Sequence, residues 1–104
     1  MITESNRLYI TGRLTEWAGD NSDRRAWLAD CAARHLHGDD GDLDLDDHAA
    51  NNHASRHQSG RVLSANPVPN QLVPAPDDDT RVRVITDDLD DPDTATTMMW
   101  PTDY

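Results

Sequence analysis

The chain has 104 residues and a formal net charge of -11, from eighteen aspartates and two glutamates set against nine arginines and no lysine. Acid at that density repels nucleic acid and anionic membrane and is drawn to basic grooves. The missing lysine excludes a P-loop lysine, a Schiff base and the usual restriction-type nuclease triad, and the lone Cys31 excludes an intramolecular disulfide and fits a reducing cytosol.

From the N-terminus, Arg7-Leu8-Tyr9-Ile10-Thr11 alternates in β-favouring residues and predicts a short strand. Arg13 to Ala18 is compatible with an extension of that strand or with one helical turn, and Gly19-Asp20-Asn21 is a turn signal. Asn21 or Ser22 then caps a helix with Asp23 in its first turn. Trp27, Leu28, Cys31, Ala32 and His35 or Leu36 recur at helical spacing, and Gly38 suits the helix end. A second helix is expected from about Asp42–Asp44 to about Gln58, with acid in its first turn and Gly60 beyond its end.

Arg61 to Ala65 reads as a strand. The four prolines between Asn66 and Pro76 predict a rigid extended loop, since proline suits neither a helix nor a central strand. Thr80 to Thr86 is the clearest strand, Asp87 to Asp93 an acidic turn, and Thr94 to Trp100 a last strand stopped by Pro101. The expected fold is a single acidic α+β domain over residues 1–104, with two helices packed on a small antiparallel sheet of three to four strands. Hydrophobic residues make up 36% of the chain and phenylalanine is absent, so the core must rely on Leu, Val, Ile, Ala and the three tryptophans. No apolar run approaches the roughly 18 residues of a membrane span, and the start has no basic region followed by an apolar one, so a cytoplasmic protein without a signal peptide is expected.

Two groups of segments carry a resemblance. The first is His35-Leu36-His37-Gly38-Asp39-Asp40-Gly41-Asp42-Leu43, Asn51, Ala54 and Gly60-Arg61-Val62-Leu63-Ser64-Ala65. The second is Val82-Arg83-Val84-Ile85-Thr86-Asp87, Ala95-Thr96-Thr97 and Pro101-Thr102-Asp103-Tyr104. In this order and spacing they resemble an uncharacterised bacterial family usually called plasmid-related, over about two-thirds of the chain. The chain departs from the family pattern where Asp40, Asn66 and Arg83 replace aromatics, which would be linked losses if all three belonged to one cluster. That family travels with plasmids and mobile elements, often beside anti-restriction genes, so the resemblance implies a role in defence evasion or element maintenance. It brings no active site.

The candidate functional surface is acidic. Carboxylates one residue apart on a strand, or three to four apart on a helix, sit roughly 5–7 Å apart, close to the phosphate spacing of a nucleic-acid strand. Asp39, Asp40, Asp42, Asp44, Asp46 and Asp47 in one segment, Asp77, Asp78 and Asp79 in a second, and Asp87, Asp88, Asp90 and Asp91 in a third are the expected partner-binding residues. The partner would be a host protein or ribonucleoprotein complex with a basic nucleic-acid-binding groove, with no direct binding of nucleic acid or membrane. The expected function is therefore a non-enzymatic inhibitor from a phage or mobile element, of the anti-CRISPR or anti-restriction kind, with no cofactor. Trp100, Met98 and Met99 would anchor it if exposed, though a core position suits them better.

Two alternatives remain. The His/Asp cluster at 35–48, chiefly His35, His37, Asp39 and Asp42, has oxygen and nitrogen donors for a metal. The calcium-loop template started at Asp42 fails, however, because Asp47 stands where glycine must turn the chain. His53 and His57 share a helical face as a zinc pair would, with His48 or Asp46 as a third ligand, but Ala54 stands where a metalloprotease needs glutamate. The acid would equally suit the solvated surface of a salt-adapted interaction module. Cys31 sits within the apolar stripe and reads as buried rather than nucleophilic.

Overall fold

In the computed structural model the described residues are 7–37, 41, 45–57, 60–72, 81–91 and 94–103. Strand β1 (Arg7–Ile10) leads into helix α1 (Gly12–Ala18), and α2 (Ser22–Leu36) and α3 (Leu45–His57) follow. Strands β2 (Val62–Pro67), β3 (Arg81–Thr86) and β4 (Ala95–Met99) complete an α+β fold. The sheet order is β1-β4-β3-β2. β2, β3 and β4 form the expected antiparallel meander, but β1 lies parallel to β4, with Tyr9 opposite Thr97.

The α+β class and the four strands are as expected, but the sheet is mixed rather than antiparallel and, among the described residues, the helices number three rather than two. Both corrections arise at the N-terminus. Arg13 to Ala18 is helix, not strand, and it buries Leu14 and Ala18, one turn apart. A helix directly after β1 fits a strand whose neighbour, β4, comes from the far end of the chain.

Asn21 caps α2: its Oδ1 accepts from the N–H groups of Asp23 at 3.0 Å and Arg24 at 3.1 Å. α2 buries Leu28, Cys31 and His35 at helical spacing. The inner face of the sheet carries Val82, Val84 and Met98, which pack with Leu14, Leu28 and Trp100 into one core. Trp17 stands edge-on to Trp100 at 5.2 Å and to Trp27 at 6.1 Å. Arg24 lies 4.5 Å over Trp17 and donates to the Trp17 and Leu72 carbonyls, which ties α2 to α1 and to a 3-10 turn at Asn70–Leu72.

The proline-rich loop is shorter than expected. β2 continues through Pro67, which pairs opposite Arg81. An edge strand tolerates proline wherever its nitrogen faces away from the ladder, and β2 is an edge. Gly38 and Gln58, the expected helix limits, and Pro74 and Pro76 lie outside the described residues.

Candidate functional site

The described members of the predicted acidic surface fall in two places, while Glu16, Asp20, Asp23 and Asp30 are exposed elsewhere, on and between α1 and α2. Asp47 is exposed in the first turn of α3, and Asp87, Asp88, Asp90 and Asp91 are exposed on the turn between β3 and β4. Asp39, Asp40, Asp42, Asp44, Asp77, Asp78 and Asp79 lie outside the described residues, as does the side chain of Asp46. α3 runs back along β2, from the side where Gly41 bridges Ala65 to its end just before Gly60. Its thirteen residues span about 20 Å. Asp47 stands on α3 one turn before Asn51, the residue bonded to Leu63, whereas the 87–91 turn is clamped to Gly60 beyond the other end of α3, so the described carboxylates of the predicted surface sit on two separate elements.

The turn is tightly held. The Asp87 N–H donates to the Ala95 carbonyl at 3.1 Å, the Asp91 N–H to the Asp88 carbonyl at 3.2 Å and the Thr94 N–H to the Asp91 carbonyl at 3.0 Å. The Asp88 N–H reaches the buried Thr94 hydroxyl at 2.9 Å. Asp88 Oδ1 accepts from the Asp90 N–H at 3.0 Å and from the Gly60 N–H at 3.1 Å. The Gly60 carbonyl in turn accepts from Leu89 at 2.9 Å. Gly60, at φ +86°, thus clamps the turn with both of its backbone groups. Four exposed carboxylates are fixed on one short reverse turn, with Asp88 Oδ1 engaged as a local cap.

Trp100 and Met98 are fully buried, so neither anchors a partner. Met99 is half-buried on the outer face and lines a hollow of about 250 Å³ with Arg61, Ile85 and Asp87. Asn66 and Arg83 do not belong to one cluster. Asn66 pairs with Val82 and Arg83 with Ala65, so Asn66 faces the core with Val82 while Arg83 points to the opposite face.

His35, the first member of the proposed metal cluster, is engaged elsewhere. It is buried, with Nδ1 at 2.8 Å from the Ser64 hydroxyl and Nε2 at 2.8 Å from the Thr86 hydroxyl. Thr86 continues to Thr96 at 2.9 Å. One relay of side chains therefore links α2 to three strands. With both ring nitrogens occupied inside the core, His35 is no metal ligand, and burial lowers its pKa from 6.5 to about 4. His37 is exposed at the end of α2. His53 and His57 lie ring to ring at 4.3 Å on α3. Among the described residues no group of three or more potential metal ligands gathers. Cys31 is buried, and burial pushes its thiol up to about 11 against the opposing pull of Arg34, so it stays protonated and unreactive.

Sequence reasoning missed how the sheet edges are treated. Asn51 of α3 accepts from the Leu63 N–H at 2.9 Å and donates to the Leu63 carbonyl, so its amide stands in for a neighbouring strand. Gly41 bridges Ala65, and Pro67 has no N–H to offer. Positions 63, 65 and 67 are the outward ones of β2, and each is occupied or silent. Asn51 was visible only as a position of the resemblance, because an edge cap has no local pattern.

Comparison with family profiles, with curated proteins and with solved structures finds no match. Among the described residues, no helix is long and apolar enough to cross a membrane.

Proposed function

We propose that this chain is a non-enzymatic, cytoplasmic acidic inhibitor that occupies a basic nucleic-acid-binding groove on a host defence complex, of the anti-CRISPR or anti-restriction kind. The observation that carries the reading is the 87–91 turn: four exposed carboxylates on a clamped backbone, in a chain of net charge -11. A groove built for phosphates holds counterions and releases them when a fixed anionic array replaces nucleic acid. Rigidity matters because a preorganised turn loses little conformational freedom on docking. The resemblance to a family of mobile elements supports the same reading.

The separation of Asp47 from the turn narrows the contact. The turn is the principal contact in this reading, and the aspartates that flank Gly41 in sequence are secondary. The test is capture from nuclease-treated bacterial lysate at low salt, followed by elution with a salt gradient. The expected result is a nucleic-acid-handling complex released steeply as salt rises and displaced by added nucleic acid. Replacing Asp87, Asp88, Asp90 and Asp91 by asparagine keeps the Oδ1 acceptor of residue 88 and removes the charge. Capture that survives this change refutes the turn as the contact.

A further inference from the structure

Strand β1 is the opposite edge of the sheet from β2, and among the described residues nothing pairs with its outer side. In the parallel pair the Thr11 N–H donates to the Met98 carbonyl, and the registry sets Tyr9 opposite Thr97. Alternation then turns the backbone groups of Tyr9 and Thr11 towards β4 and those of Leu8 and Ile10 away from it. Among the described residues, no segment pairs with those outward groups. The side chains are apolar and exposed: Leu8 by 51%, Tyr9 by 49% and Ile10 by 42%. Leu8 and Ile10 form one wall of a groove of about 320 Å³ whose other wall is α2, with Leu28, Ala29 and Ala32. Among the residues lining it, Arg25 alone is charged. The fourth exposed large apolar residue, Leu36, extends the Ala29–Ala32 stripe by one turn.

An exposed apolar edge without lysine, proline or inward charge is the kind that folded proteins ordinarily cover, even when it is as short as these four residues. We propose that a second copy of this chain covers it, with β1 pairing antiparallel to β1 of its partner about a two-fold axis through Tyr9. In that register Leu8 faces Ile10 of the second copy and Ile10 faces its Leu8, so the N–H and C=O of both residues are used in reciprocal pairs. Each copy's Leu8 and Ile10 enter the groove of the other, where the small Ala29 and Ala32 leave room. The two Tyr9 residues meet as a non-hydrogen-bonded pair, the closer of the two antiparallel geometries, on the outer face. One register thus engages every outward backbone group and every exposed apolar side chain of β1, and it is isologous as a two-fold interface must be. Among the described residues lining the groove there is no carboxylate, so the repulsion between two chains of net charge -11 is not concentrated at this contact.

Association of two acidic chains should tighten as salt rises, the reverse of the binding proposed above, so the two readings fail independently. The experiment is mass by light scattering at rising protein concentration and salt, together with air oxidation of variants that add one surface cysteine to the buried Cys31. The expected mass is twice the 11.6 kDa of one chain. Leu8→Lys should give a folded monomer, its fold checked by circular dichroism. Tyr9→Cys should form a covalent dimer, because the paired Cα atoms lie at about 4.5 Å. Leu8→Cys and Ile10→Cys alone should not, but mixed together they should cross-link. A wild-type chain that stays monomeric at high concentration and salt overturns the proposal and leaves the edge to a foreign strand. A dimer that survives Leu8→Lys, or that cross-links no better through Tyr9→Cys than through Leu8→Cys, overturns it as well.

Discussion

The two edges of this sheet receive opposite treatment. Along β2, an asparagine amide, a glycine bridge and a proline deal with three successive outward positions. Along β1, two outward residues carry backbone groups and apolar side chains to the surface. Both strands are short, so length does not explain the contrast. What differs is the chain beside them. β2 follows α3 directly and can be capped by its own neighbour, whereas among the described residues β1 pairs only with a strand drawn from far along the sequence. Edge protection here is local in sequence, and the edge without a local protector is the one fitted for association.

This contrast can be broken at several points. The largest effect is expected at Gly41, which sits at φ +67° with its α-carbon against the Ala65 carbonyl. Gly41→Ala adds a methyl where there is backbone and forces an unfavourable dihedral. It should cost about 3 kcal/mol or more in chemical denaturation. Next comes the relay behind β2. His35 is held neutral by burial, its pKa lowered from 6.5 to about 4. The unfolded chain therefore binds the proton more readily, and stability should be level above pH 7 and decline as pH falls from 6.5 towards 4. The loss should reach about 3 kcal/mol, and His35→Gln should flatten the curve.

Smaller effects sharpen the comparison. Asn51→Ala strips the cap from Leu63 and should destabilise by about 1–3 kcal/mol, with a new tendency to aggregate through β2. Asp103 receives hydrogen bonds from the Thr11 hydroxyl at 2.7 Å, from Arg13 at 3.0 Å and from the Trp100 N–H at 3.1 Å. Desolvation acts to raise its pKa but is outweighed by these three donors, which lower it. Asp103 thus adds stability that is present above the ordinary carboxylate range and lost on acidification. Asp103→Asn should reduce that acid-limb dependence in a urea titration. At the open edge, Leu8→Lys should change monomer stability by no more than about 0.5 kcal/mol, since the side chain faces solvent until something docks on it.

Much of the fold was legible because its signals are local. The stripe of Leu28, Cys31 and His35, the Asn21 cap and the alternation from Arg81 to Thr86 each declare their element within a few residues. α1 was ambiguous because seven residues give barely two turns, and its two buried positions fit helix and strand alike until β4 is placed. The parallel pairing of β1 and β4 joins residues 88 positions apart, as with Arg7 and Ala95, and leaves no periodic trace. His35 read as a ligand because its type and neighbours suggested one. Its real partners, Ser64 and Thr86, are ordinary strand hydroxyls supplied by tertiary structure. Of the acidic site, the 87–91 turn could be read from its run of aspartates, whereas its separation from Asp47 depended on the direction of α3.

The strand order carries a further consequence. β4, flanked by β1 and β3, is the last strand to be synthesised. Until a ribosome delivers Ala95 to Met99, β1 lacks the one strand that pairs with it among the described residues, and Leu8, Tyr9 and Ile10 wait for it. The meander can begin at β2 and β3, but the sheet closes only in one late, long-range event. A nascent chain stalled before residue 95 would be a sticky species, which makes prompt completion, or a chaperone that shields the first ten residues, a condition for good yield.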